Sequence, residues 1–187
     1  MNLPNRLTLL RVALIPLFAL FLLVPFTKYN TLIALAVFAA ASLTDLLDGS
    51  IARKYNLITD FGKFLDPLAD KALVMAALVA FCGIGWCSPV PVMIILFREF
   101  MVSALRLVVK SEDGIVVPAG WFGKIKTAFT MVSITAVLLL RGIEALGAGV
   151  PHIYGISAAL IWISAALTAG SGALYLKAYW KAIEPDR

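Results

Sequence analysis

The sequence is short of histidine, cysteine and charge, and each shortage removes a class of protein. The one histidine, His152, falls in a predicted loop, so a histidine-based catalytic centre is unavailable. The two cysteines, Cys82 and Cys87, flank a Gly-Ile-Gly-Trp turn with no histidine close by in the sequence. They make a poor metal site and are expected to be thiols rather than a disulfide. Only 14% of the residues are charged, which is far from the balance of an ordinary soluble domain. A cleavable leader is not expected either. The first apolar stretch, residues 12–26, is interrupted by Pro16 and Pro25 and lacks a small-residue cleavage site.

What fills the 187 residues is hydrocarbon: 61% are hydrophobic and the mean hydropathy is +0.95. Apolar stretches near twenty residues recur along the chain, the length that crosses a hydrocarbon core about 30 Å thick at about 1.5 Å per residue. Hydropathy and turn residues predict an all-α polytopic membrane protein with six transmembrane helices, at residues 7–26, 31–52, 61–83, 91–109, 119–140 and 154–179. Breaks are expected at 25–30, 53–60, 83–89, 110–118 and 142–151, each carrying glycine, proline, asparagine or charge. Residues 2–11 mix Pro4, polar groups and leucines, which suggests an N-terminal segment lying along the membrane interface. No internal repeat is visible, and the expectation is a single membrane domain over residues 1–187 with no nucleic-acid partner.

Basic residues orient the spans, because cytoplasmic ends are enriched in lysine and arginine. With the N-terminus inside, Arg6, Arg11, Arg53, Lys54, Lys63, Arg106, Lys110, Lys124, Lys126, Lys177, Lys181 and Arg187 fall on the cytoplasmic side. Lys71 and Arg98 lie near mid-span, and only Lys28 and Arg141 remain outside. Both termini are then cytoplasmic. The net charge of +5 reflects this topology control, and also suits a surface facing anionic lipid.

Candidate chemistry is concentrated between residues 45 and 70. Asp45 and Asp48 are followed by Gly49, Ala52 and Arg53, and then, after eight residues, by Gly62, Asp66 and Asp70. Spacings of three and four put Asp45 and Asp48 on one helix face and Asp66, Asp70 and Gly62 on a face of the next helix. A short cytoplasmic connection would make those helices antiparallel neighbours, so that four carboxylates converge near the inner membrane surface. Each uncompensated aspartate at a helix centre costs about 2.5–3.5 kcal/mol on the lower scales, so a neutralising partner is needed. Salt bridges to Arg53, Lys54, Lys63 and Lys71 would provide one for any single acid. For the whole pattern a cation cage is the better account. All-carboxylate ligation favours Mg²⁺, Mn²⁺ or Ca²⁺ over zinc, and four aspartates balance two divalent ions. Gly49, Ala52 and Gly62 are small enough to let a ligand approach the backbone.

The pattern Asp-x2-Asp-Gly-x2-Ala-Arg-x8-Gly-x3-Asp-x3-Asp resembles the CDP-alcohol phosphatidyltransferases at all eight fixed positions. The resemblance implies that Asp45, Asp48, Asp66 and Asp70 bind two divalent cations, Mg²⁺ or Mn²⁺, that hold the donor pyrophosphate. It further implies that Asp70 is also the base for the acceptor hydroxyl. The CDP-lipid would lie along Asp48, Gly49, Ala52, Arg53 and Gly62. Six transmembrane helices, a homodimer and a CDP-diacylglycerol donor belong to the same expectation.

The acceptor is addressed by cations elsewhere. Arg98 and Arg106 lie eight residues apart in the fourth span, and Lys124 and Lys126 open the fifth. Snorkelling to headgroups accounts equally well for either lysine alone, whereas Arg98 lies inside its span beside Glu99, where an ion pair or a ligand role is expected. Together with residues 2–11, these segments resemble the bacterial phosphatidylglycerophosphate synthases of that family. The acceptor implied is sn-glycerol 3-phosphate, with Arg98, Arg106, Lys124 and Lys126 on its phosphate. Inositol phosphate, serine or phosphatidylglycerol would use the same aspartates. A divalent-cation transporter is the rival outside enzymology, but residues 74–81 and 31–41 are almost wholly apolar and offer no outward path.

Overall fold

In the computed structural model, residues 2–55, 60–113 and 121–180 are described, and side chains are not described for residues 46–61, 63, 64 and 107–113. Among the described residues there are six α-helices and no strand: α1 (Leu3–Leu23), α2 (Asn30–Tyr55), α3 (Asp60–Gly83), α4 (Pro89–Asp113), α5 (Trp121–Ala145) and α6 (Ile153–Ala178). Three of them, α1, α5 and α6, are long and apolar enough to cross a membrane. Among the described residues of α2, Asn30–Asp45 forms a shorter apolar stretch.

Burial is inverted relative to a water-soluble protein. Phe97 is 71% exposed and Trp121 78%, while Thr8, Ser133, Ser157, Ser164 and Thr168 are completely buried. Large apolar side chains on the outside and hydroxyls on the inside are the distribution that a hydrocarbon solvent selects. This chain is an integral membrane protein.

The residues expected along the interface are the first turns of α1 itself. Pro4 occupies the start of the helix, where its missing N–H is not needed, and Pro4, Asn5, Thr8 and Arg11 all turn inward. Polar residues there serve the interior. The chain then turns through Val24–Tyr29, where Asn30 closes the connection: its Oδ1 accepts the Thr27 backbone N–H at 2.8 Å and its side-chain amide donates to the Val24 carbonyl.

Most helix boundaries shift by a few residues from the expectation, and one shift has a clear physical reason. The break expected over 142–151 begins later than Gly142, because α5 continues to Ala145. A Cβ at Gly142 would lie 2.4 Å from Leu32 Cδ2, so this glycine permits close approach of α5 to α2 rather than ending a helix. The helix stops instead at Gly147, whose φ of 94° is open to glycine, with its N–H donated to the Glu144 carbonyl at 2.9 Å.

The chain divides into two compact units, Met1–Trp86 with Ile134–Ile153, and Cys87–Ser133 with Tyr154–Arg187. Helix α5 contributes its first half to the second unit and its second half to the first. In the first unit, α1 packs along α2 and also against α3, while α2 and α3 touch little among the described residues. Phe18 and Phe38 meet at 5.7 Å in the α1–α2 contact. In the second unit, the Ser164 hydroxyl donates to Ser133 at 3.2 Å, linking α6 to α5.

Candidate functional site

The acids of the first unit meet on α1. Thr8 and Arg11 stand one turn apart on its buried face, and each reaches a carboxylate on a different helix. The Thr8 hydroxyl lies 2.6 Å from Asp66 Oδ1 of α3, and Arg11 Nη1 lies 2.8 Å from Asp45 Oδ1 of α2. Arg11 Nε is also 3.5 Å from the Thr44 hydroxyl, which in turn donates to the Ala41 carbonyl at 2.6 Å. The expected convergence of the four aspartates involves Asp48, whose side chain lies outside the described residues; Asp45 and Asp66 each contact α1.

Both contacts are to Oδ1 of the carboxylate. The Arg11 side chain is 0% exposed, whereas that of Asp45 is 43% exposed, so the guanidinium forms the closed back of the site and the carboxylate its open front. Asp70 is half-buried one turn beyond Asp66 on α3, and Gly62 is buried one turn before it. Asp48, Gly49, Ala52 and Arg53 are carried on α2, and their side-chain placement lies outside the described residues. An oxygen-only donor set of this kind fits a hard divalent cation. Among the described residues no group of three or more potential metal ligands is assembled, and the side chain of the expected member Asp48 lies outside them.

The second unit holds the cations in two different ways. Arg98, 7% exposed, pairs through Nη1 with Glu99 Oε1 at 3.1 Å, and Lys126 Nζ reaches the same Oε1 from α5. Two expected acceptor residues thus converge on one carboxylate. Arg98 Nε is buried without a hydrogen-bond partner among the described residues, an orphan donor in an interior that tolerates few. Arg106 and Lys124 do not join them there: Arg106 is exposed over the Tyr175 ring at 5.7 Å, and Lys124 lies over the Trp121 ring at 5.8 Å. These are cation–π contacts of the interfacial kind.

Sequence reasoning missed three participants. Thr8 and Arg11 were hidden in a segment that reads as interfacial, although Asn5, Thr8 and Arg11 at i,i+3 spacing mark one polar helix face. Gly172 of α6 was the third: a Cβ there would lie 2.7 Å from Arg98 Cγ, so its absence makes room for the arginine. Arg98 also borders an apolar cavity of about 480 Å³ with Phe97, Met101 and Leu176, a lining suited to hydrocarbon rather than to a free phosphate.

Comparison with known proteins places these features in a family. Residues 1–170 match the model of the CDP-alcohol phosphatidyltransferase family. The chain is similar to the CDP-diacylglycerol–glycerol-3-phosphate 3-phosphatidyltransferase of Bacillus subtilis (strain 168), with 39% identity covering 98% of this chain and 97% of the relative. It resembles the proteins of the same name from Rickettsia felis, 37% identical over 95% of this chain and 94% of the relative, and Pectobacterium atrosepticum, 39% identical over the same shares.

Proposed function

Because the chain belongs to the CDP-alcohol phosphatidyltransferase family, we propose that it transfers the phosphatidyl group of CDP-diacylglycerol to sn-glycerol 3-phosphate, giving phosphatidylglycerol phosphate and CMP. The observation that carries this reading is near-full-length similarity to relatives bearing that name, in a chain whose α1 gathers one aspartate from each half of the acidic pattern.

Enzymes of this family generally use a divalent metal. We take Mg²⁺ or Mn²⁺, two ions, with Asp45, Asp48, Asp66 and Asp70 as the ligands. The metal supplies Lewis-acid stabilisation of the negative charge that grows on the departing CMP. The rest falls to the chain. Asp48, Gly49, Ala52, Arg53 and Gly62 line the donor. Arg98 and Lys126 bind the acceptor phosphate, with the orphan Nε–H of Arg98 as one donor, while Arg106 and Lys124 attract it from the interface. The primary hydroxyl attacks the phosphorus that bears the diacylglycerol, its proton passes to Asp70, and the bond from that phosphorus to the CMP oxygen breaks. A carboxylate is a weak base for an alcohol, so the proton moves late.

The reading takes residues 1–187 as a single domain, supported by a family match over residues 1–170. Six spans, cytoplasmic termini and a cytoplasmic active site follow from the basic-residue asymmetry, and the resemblance extends the reading to a homodimer. The test is CMP release by the purified protein in detergent with CDP-diacylglycerol and Mg²⁺ or Mn²⁺. Turnover with glycerol 3-phosphate, and none with inositol phosphate, serine or phosphatidylglycerol, is expected. Turnover with another of these acceptors overturns the acceptor assignment, and none with any overturns the activity.

A further inference from the structure

We propose that Thr8 and Arg11 of α1 are positioning residues of the carboxylate cluster acting in opposite senses: Thr8 aims Asp66 at a divalent cation, whereas Arg11 holds Asp45 back from one. The inference rests on the metal-binding reading above and assigns work to two residues outside the aspartate pattern.

Thr8 has one hydroxyl proton and two acceptors in reach, the Pro4 carbonyl at 3.1 Å and Asp66 Oδ1 at 2.6 Å. The shorter distance is that of a hydroxyl donating to a carboxylate, so the proton belongs to Asp66. Thr8 is fully buried and cannot turn to solvent. Its bond fixes the Asp66 side chain through Oδ1 and presents Oδ2. Partners of this kind behind a metal ligand typically contribute about 10–100-fold in metal affinity.

Arg11 does the reverse. A buried guanidinium in an apolar helix needs a carboxylate, and Asp45 is its partner at 2.8 Å. Any cation approaching Asp45 competes with this pairing and is repelled by the arginine. The four aspartates of the pattern carry −4 and Arg11 adds +1, leaving −3. Counting these five side chains alone, one divalent ion leaves −1 and two leave +1, an excess that the negative pyrophosphate of the donor offsets. Arg11 thereby couples full metal loading to donor binding.

The experiment is a Mn²⁺ titration of the purified full-length protein in detergent without lipid substrate, read by electron paramagnetic resonance. Thr8→Val is expected to weaken Mn²⁺ binding by about 10–100-fold, with Thr8→Ser restoring it. Arg11→Met is expected to tighten it by about fivefold or more, because a close positive charge has gone. A merely structural role would weaken binding in both. Arg11→Gln, which keeps a hydrogen-bonding group near Thr44, carries the same expectation if Arg11→Met does not fold. Weaker or unchanged binding in a folded Arg11 variant, or unchanged binding in Thr8→Val, overturns the proposal. Absence of Mn²⁺ binding in the wild-type protein instead removes the carboxylate cage, and this inference falls with it.

Discussion

The two units use the same device with the charges exchanged. In the first, aspartates of α2 and α3 are half-exposed in front of a buried arginine; in the second, Arg98 and Lys126 converge on a single glutamate. The first cluster is net negative, the second is net positive, and each contains one opposite charge. That residue restrains side chains which would otherwise repel one another in a medium where unpaired charge is costly. The units differ in how firmly their outlying members are held. Arg106 and Lys124 lie over aromatic rings at exposed positions, where attraction is weak and screened.

The comparison breaks most visibly at the acids. Asp70→Asn preserves shape and removes the base and ligand proposed above, so CMP release should fall by about a thousandfold or more, in the range lost with a general base. The protein should remain folded by size-exclusion chromatography and should still bind donor. Near-normal turnover would remove Asp70 from the chemistry. On the cationic side, Lys126→Ala should raise the apparent KM for glycerol 3-phosphate by about 10–100-fold, the worth of a charge-assisted hydrogen bond. Arg106→Ala should raise it only about twofold to fivefold, as suits an exposed charge. Equal effects would mean that the aromatic-stacked residues reach the acceptor as directly as the buried ones. Between these two effects lies Gly172→Ala, whose Cβ would press on Arg98 Cγ at 2.7 Å. Overpacking of about 1–2 kcal/mol should move the arginine and raise the same KM by about tenfold or less, leaving the KM for CDP-diacylglycerol unchanged.

Legibility in the sequence followed the range of the interactions. Six helices were readable because apolar runs and turn residues are local, and the misjudged end of α5 arose where Gly142 serves a contact with Leu32 more than a hundred residues away. The aspartates were readable because their spacing within two helices is itself the pattern. Their organisation by α1 was not, since nothing in the order of residues says that Thr8 meets Asp66 or that Arg11 meets Asp45. For the same reason four cations looked equivalent as a list, while folding separates the pair on Glu99 from the pair over Tyr175 and Trp121.

The finest test of the exchanged-charge comparison is Glu99. If it stands to Arg98 and Lys126 as Arg11 stands to Asp45, its carboxylate competes with the acceptor phosphate for both cations. Glu99→Gln retains a carbonyl oxygen near both partners and removes the charge, so the cluster becomes more positive without losing its hydrogen-bond acceptor. The apparent KM for glycerol 3-phosphate should then fall by about twofold to fivefold, on the order of 0.5–1 kcal/mol for a partly screened pair. The decrease should shrink as salt is raised, because the gained attraction is long-range charge. A KM that rises instead would mean that Glu99 orients the cations more than it competes for them. The two units would then differ in kind: a cation that withholds acids in one, and an acid that aims cations in the other.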